Sequence, residues 1–362
     1  MSGSESGISR RSLLKTGVLA PAAASAVLSM SACSKREELP LPAEAPIGPF
    51  GFESTAEEVT AGLNLQGKTI LVTGCNSGIG YETMRVLALR GAHVLGAART
   101  EEKAAKACES VAGLTTPVVV ELSDFDTIVA AAEQVRAATP QLDGIICNAG
   151  IMELPELEQV YGIEKHFVVN HLGHFLLVNL LLEQIKAAPQ GRVAVVASGQ
   201  ATRSAPANGI LFDQLSGEGW YQPDLGYGHS KLANVLFSLE LSKRLQGTNA
   251  TSNALTPGVI PTNLGRHMPR WKTLTLETVG KVFTKTIPQG AATSCYVASA
   301  PALEGESGWF FKDCNPHRPG GYTEDENMAA ALWETSSQIV APWMSQPVPV
   351  AANYSFGGFM LR

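Results

Sequence analysis

The sequence predicts an α/β fold, one parallel sheet with helices on both faces, on three observations. The apolar run Ile70-Leu71-Val72 leads into a glycine-rich turn and then into a segment with helical spacing of apolar residues. Strand-like and helix-like segments go on alternating beyond it. Hydrophobic residues make up 45% of the 362, ample for one large core. Because glycines open the first helix, the expected sheet is doubly wound and of the Rossmann type, a single domain over residues 54–341.

The first turn reads Thr73-Gly74-Cys75-Asn76-Ser77-Gly78-Ile79-Gly80. Without side chains at Gly74, Gly78 and Gly80 the backbone can turn tightly, and a pyrophosphate can approach the amides at the positive end of the new helix. Glycines at such a turn also serve packing alone, so the motif needs support from the rest of the chain.

Its spacing, TGxxxGxG, resembles the cofactor loop of the short-chain dehydrogenase/reductase family, and TGCNSGIG is close to the form in retinol dehydrogenase-like and WW-domain oxidoreductase-like members. The resemblance covers about residues 66–341 and implies a nicotinamide cofactor lying on Gly74, Asn76, Ser77, Gly78, Ile79 and Gly80. The second strand, Ala92 to Ala97, ends at Ala98-Arg99-Thr100. An acid at this end would select NAD, whereas Arg99 can pair with a 2′-phosphate, so NADP(H) is favoured over NAD(H). The third strand, Pro117 to Val120, ends in Glu121-Leu122, where family members contact adenine, usually through an aspartate. The fourth, Gly144 to Cys147, runs into Asn148-Ala149-Gly150, matching the family's NAG motif beside the cofactor.

A long apolar helical stretch then carries Asn170-His171-Leu172-Gly173-His174-Phe175. A buried amide such as Asn170 needs partners. In the family's NHLGHF form this asparagine perturbs the helix and holds a water of the proton relay. His171 and His174 share a helix face, but no third ligand accompanies them at metal-site spacing, and no metal is expected. The fifth strand, Arg192 to Ala197, delivers Ser198 into the crevice at the sheet's carboxyl end. Tyr227 and Lys231 lie four apart at the head of a helix over Leu232 to Leu245, on one face. Pro257-Gly258-Val259-Ile260-Pro261-Thr262 matches the family's PGxVxT segment, in which Pro257, Gly258, Ile260 and Thr262 would meet the nicotinamide or the pyrophosphate. A last strand is expected at Gly308 to Phe311 and a helix over Glu324 to Val340.

The resemblance implies a tetrad of Asn170, Ser198, Tyr227 and Lys231 carrying reversible hydride transfer at an alcohol or carbonyl carbon. Tyr227 would be the acid/base, its pKa lowered from near 10 by the Lys231 ammonium and an oxidised nicotinamide. Ser198 would polarise the substrate oxygen, and Lys231 would hold the nicotinamide ribose. Gly199–Gly226, with Trp220-Tyr221, and Asn263–Pro288, with His267, Met268 and Trp271, are expected either to line a pocket for a lipophilic alcohol or ketone or to pack on the core. A nucleotide-binding sensor or scaffold without turnover is the alternative, and the intact tetrad speaks against it.

The two ends stand apart. Ser9-Arg10-Arg11-Ser12 before the alanine-rich run Thr16 to Ala32 has the layout of a twin-arginine export signal. Met30-Ser31-Ala32-Cys33 resembles a lipobox, so residues 1–33 predict a periplasmic or lipid-anchored protein with a membrane tether through Cys33. Read instead as a basic tail, they leave the protein cytoplasmic. Residues 34–53, with Pro40, Pro42, Pro46 and Pro49, read as a tether, Ser54 to Leu63 as a short capped helix, and 342–362 as a tail. A net charge of −6 argues against nucleic acid as a partner. The six cysteines form no CxxC pair.

Overall fold

The computed structural model describes residues 38–261 and 284–344. The expected export signal with Cys33, the cofactor residue Thr262, the pocket residues His267, Met268 and Trp271, and the tail from residue 345 lie outside the described residues.

The described chain begins with helix α1 (Ala56–Val59), then β1 (Thr69–Thr73), α2 (Gly78–Leu89), β2 (His93–Ala98), α3 (Glu101–Glu109), β3 (Thr115–Val119), α4 (Phe125–Ala138) and β4 (Gly144–Cys147). A two-stranded hairpin, β5 (Gln159–Val160) and β6 (Ile163–Glu164), precedes a π-helix over Phe167–Leu172 that runs into α5 (Gly173–Leu180) and α6 (Leu182–Ala187). There follow β7 (Arg192–Val196), α7 (Gln200–Arg203), α8 (Pro223–Arg244), β8 (Thr251–Thr256), α9 (Ile287–Ser299), β9 (Phe310–Lys312), β10 (Asn315–Pro316) and α10 (Glu326–Met344).

Eight strands form one sheet in the order β10-β9-β8-β7-β4-β1-β2-β3, parallel except for β10. Ile70 on β1 faces Val94 on β2 and Gly144 on β4, so the order reverses between β1 and β4, the position where open α/β sheets bind ligands. Successive β1 side chains feed opposite faces. Leu71 joins the core formed with Phe125, Phe167, Phe175 and Phe237; Ile70 and Val72 join the one with Met84, Leu87 and Tyr296. Both faces are dry, which is why the strands read as apolar runs rather than alternating ones.

Several boundaries differ from the sequence reading for identifiable reasons. The third strand starts at Thr115, not at Pro117, because β3 is a sheet edge, where a missing N–H costs no ladder bond. The helix carrying Tyr227 and Lys231 starts at Pro223, a residue suited to a first helical turn, so both lie inside it. The capped segment at Ser54 condenses to α1, with a capping box in which Glu58 N–H donates to Thr55 Oγ1 and Thr55 N–H to Glu58 Oε2. The final helix extends to Met344, past the boundary expected at 342.

Residues Glu38 to Glu53, read as tether, lie along the domain as a strap. Leu39 N–H donates to Arg318 O at 2.9 Å and Arg318 Nη1 to Pro40 O at 2.8 Å. Asn315 pins the far end, accepting from Gly48 N–H at 2.9 Å and donating to Phe50 O at 2.7 Å, while the Phe50 ring packs edge-on against Tyr296.

Candidate active site

The glycine turn forms at the carboxyl end of β1, and its glycines have distinct reasons. Gly78, at the start of α2, adopts φ 58°, in the left-handed region. A methyl group on Gly80 would stand 2.3 Å from Gly74 O and 2.4 Å from Asn148 Nδ2, so the helix can approach the end of β4 only without a side chain there. Packing therefore accounts for Gly80. It does not account for the helix start. Ser77, the N-cap residue, makes no capping hydrogen bond, and the first turn of α2 carries no acid. Its amides and positive dipole end are left for an anion, which fits the pyrophosphate of a dinucleotide. Asn76 and Ser77 are exposed on this turn.

Arg99 lies exposed at the end of β2 and makes no ion pair among the described residues. Glu121 is partly engaged elsewhere: its Oε1 accepts from Ser123 N–H at 3.1 Å and from Ser123 Oγ at 2.8 Å, closing its own turn. Leu122 is buried in the core. Asn148 and Ala149 both donate backbone N–H groups to Thr73 Oγ1, at 2.9 and 3.0 Å, and Asn148 Nδ2 donates to Thr73 O at 2.9 Å. On the other side of the turn, a methyl group on Gly290 of α9 would stand 2.7 Å from Ile260 Cγ1 and 3.4 Å from Ile79 Cγ1. Ile260 and Ile79 are thus neighbours across α9, and Pro257-Gly258 leads into them with Gly258 at φ 93°. The structure brings every expected cofactor residue from Gly74 to Ile260 to the carboxyl edge of the sheet; Thr262 lies outside the described residues.

The four expected catalytic residues come from three elements. Ser198 follows β7 and its Oγ accepts from Gln200 N–H at 3.2 Å; its hydroxyl neighbours Tyr227, which is buried within α8. Lys231 Nζ donates to Val196 O at 2.9 Å and lies 5.7 Å from the Tyr227 ring centroid. Asn170 is fully buried in the π-helix, where Gly173 N–H bonds Val168 O five residues back. Its amide is spent within the protein: Nδ2 donates to Ile151 O and Ser230 Oγ, and Oδ1 accepts from Ile151 N–H. Ser230 in turn donates to Tyr227 O, which ties the π-helix to α8. Gly150 separates Asn170 from Lys231. A methyl group on Gly150 would stand 3.0 Å from Asn170 Oδ1 and 3.7 Å from Lys231 Nζ, so the backbone passes between the two side chains only without a side chain there.

The electrostatics correct one expectation. The protein's own groups do not lower Tyr227. Burial pushes its pKa up to about 12; the neighbouring Ser198 hydroxyl opposes this, and the nearby Glu153 charge adds to it. Lys231, instead of imposing its charge, is itself pulled down to about 8 by burial. The reason is geometric: an ammonium aimed at the β7 carbonyl and sealed in the core loses hydration and gains no carboxylate.

Around the tetrad the structure places groups that sequence reasoning passed over. Glu164, fully buried, accepts from His166 Nδ1 at 2.6 Å and from His166 and Phe167 N–H, while His166 Nε2 accepts from Leu154 N–H. The His166 ring stands 6.2 Å from that of Tyr227. The signal was Glu164 two residues before His166 on a hairpin strand, which periodicity alone does not single out. Trp220 and Tyr221, both half-buried, are each anchored by a hydrogen bond. Trp220 Nε1 donates to Gln214 O, and Tyr221 Oη donates to Leu154 O at 2.6 Å.

Comparison with known proteins agrees with this geometry. The short chain dehydrogenase family model matches residues 68–210. The chain is 39% identical over 303 residues to "Short-chain dehydrogenase TIC 32 B, chloroplastic" of Brassica napus, covering 80% of this chain and 94% of that protein. It is 38% identical over 296 residues to "Retinol dehydrogenase 14" of Homo sapiens, covering 76% and 87%. A crystal structure of an uncharacterized protein from Mycobacterium Paratuberculosis, 30% identical, matches with a TM-score of 0.62 over 81% of this chain and 98% of that one. With this likeness over most of the relatives' length, and a doubly wound sheet carrying the site at its switch point, the chain belongs to the short-chain dehydrogenase family and is an NAD(P)-dependent oxidoreductase.

Proposed function

We propose that the protein transfers a hydride between NADP(H) and the carbonyl or alcohol carbon of a lipophilic substrate, with Tyr227 as acid/base. The observation that carries this reading is the placing of buried Tyr227 on α8 beside Ser198 at the carboxyl end of β7, with Lys231 one helical turn away and its Nζ 5.7 Å from the Tyr227 ring centroid. A bound nicotinamide supplies the hydride at C4 and, when oxidised, a positive charge beside the phenol. In reduction, Tyr227 gives its proton to the carbonyl oxygen as the alkoxide develops, and Ser198 orients that oxygen by a hydrogen bond. Lys231 holds the nicotinamide ribose.

Arg99, exposed and without an ion pair among the described residues, supports NADP(H) over NAD(H). The lipophilic class is supported by the name of one relative, a retinol dehydrogenase. The arginine pair at Arg10-Arg11 and Cys33 support export and a lipid anchor, in which case the enzyme would leave the cytoplasm folded around its cofactor. Mass spectrometry of nucleotide released from periplasmic and membrane fractions checks that part; empty protein there would defeat it.

The test of function is oxidation of NADPH and NADH by purified protein with a panel of lipophilic aldehydes and ketones, retinaldehyde included. Turnover with NADPH that disappears in Tyr227→Phe is the expected result. A Tyr227→Phe protein equal to wild type in every assay would instead favour a nucleotide-binding sensor.

A further inference from the structure

His174 contacts two parts of the site. Its Nδ1 is 3.0 Å from Asn170 O and its Nε2 is 2.9 Å from Thr73 Oγ1. A carbonyl oxygen can only accept, so Nδ1 carries the proton and Nε2 presents a lone pair. The Thr73 oxygen already receives the N–H groups of Asn148 and Ala149. Its single proton has two places to go, His174 Nε2 at 2.9 Å or Ile146 O at 3.3 Å, and the shorter contact ends on the unprotonated imidazole nitrogen. The hydroxyl is then fully used, with its lone pairs held towards the two amides.

We propose that His174 is a positioning residue: as a neutral Nδ1–H imidazole it fixes the Thr73 hydroxyl that anchors Asn148 and Ala149, and through Asn170 O it ties this cofactor edge to the helix bearing the relay asparagine. Three facts make the link rigid. The ring is completely buried, so water cannot replace either partner. The imidazole is hard to protonate, because burial and the Lys231 charge pull its pKa down to about 4, which keeps Nε2 an acceptor. Asn170, finally, hands the constraint on to Ser230 and so to the backbone of Tyr227. A continuous chain of hydrogen bonds thus runs from the end of β1 to the acid/base helix, crossing the sheet between cofactor loop and tetrad. A leucine of similar size would fill the volume at His174 and supply none of this.

The inference rests on the reading of this edge as the nucleotide site, and the experiment separates the two. NADPH is titrated, by its fluorescence, onto the full-length protein and onto His174→Leu, His174→Asn, His174→Gln and Thr73→Val, with amide hydrogen exchange at Asn148 and Ala149 and a thermal melt for each. Glutamine reaches the position of Nε2 and can accept from Thr73; asparagine reaches only that of Nδ1. The expected result is about tenfold weaker NADPH binding and faster exchange in His174→Leu and His174→Asn, with His174→Gln within about threefold of wild type. In a Thr73→Val background the His174→Leu change should add nothing, because the shared bond is already gone. Unchanged binding and exchange in a folded His174→Leu protein, or asparagine and glutamine behaving alike, overturns the proposal. If His174→Leu does not fold, the glutamine and asparagine pair decides. Wild-type protein that binds neither NADPH nor NADH defeats the functional reading instead, and amide exchange still decides the role of His174.

Discussion

Lys231 Nζ bonds Val196 O at 2.9 Å, so the ammonium is aimed by the end of β7 and not by the phenol it serves. Burial lowers Lys231 from 10.5 to about 8. Between these values the unfolded chain keeps a proton that the folded chain has released, so stability rises with pH there; below about pH 8 the full cost of the buried charge is present. Lys231→Met is therefore expected to be more stable than wild type at pH 7, by about 2–3 kcal/mol, with the gap closing towards pH 10.5. Urea unfolding at pH 7 and 9.5 checks the sign, and loss of turnover in the same variant separates function from stability.

Acid should act through the core histidines. His171 is held at about 3, and His174 and His229 at about 4, in each case mainly by burial, against 6.5 for a free imidazole. From pH 6.5 down to about 4 the unfolded chain takes up protons that the folded chain refuses, so stability falls across that window and is fully present above it. Denaturant midpoints measured at pH 7.5, 5.5 and 4.5 should decrease in that order. A flat profile would contradict the burial of these rings.

At Arg99 the expected effect is on cofactor choice. Arg99→Asp removes the cation at the end of β2 and supplies an acceptor for ribose hydroxyls, so NADPH affinity should drop by roughly 10- to 100-fold while NADH affinity improves. Equal discrimination in wild type and variant would place the 2′-phosphate contact elsewhere. Isothermal titration with both nucleotides reads the ratio directly.

Gly80→Ala tests the packing account of the glycine turn. The added methyl group would meet Gly74 O at 2.3 Å and Asn148 Nδ2 at 2.4 Å, both on tightly held structure. A loss of about 1–3 kcal/mol is expected, or a displaced α2 that no longer presents its amides to a pyrophosphate. Urea denaturation, together with NADPH titration, distinguishes a stability loss from a binding loss.

Much of this was legible in the sequence because the features are local. Glycine at fixed spacing, a β-branched run and a tyrosine four before a lysine report their own geometry; they located the sheet and the glycine turn, while the resemblance supplied the candidate tetrad. Contacts between distant segments were not legible. Nothing around Thr73 announces that its hydroxyl meets His174, far along the chain, and the spacing of the two histidines of that helix shows a shared face but not their partners. The strap was misjudged for a similar reason. Proline and charge mark a segment without helix or strand, but whether it floats or docks depends on Asn315 and Arg318, at the other end of the chain. Within the protein alone the tyrosine pKa rises for a physical reason that sequence does not show: the phenol is stripped of water, and burial outweighs what neighbouring groups offer.

The π-turn around Asn170 has a consequence for how the chain tolerates changes of length. Its bonds close over one more residue than those of the flanking α5, so the core helix carries a single surplus residue at this point. Deleting one residue between Phe167 and Leu172 could be absorbed by reversion to an ordinary turn, leaving Phe175, Leu176 and Leu177 in register with their neighbours, whereas a deletion further along would rotate all that follows. The fold could survive the loss, but Asn170 would leave its place between Ile151 and Ser230. Here the catalytic arrangement is stored as one residue more than the architecture needs.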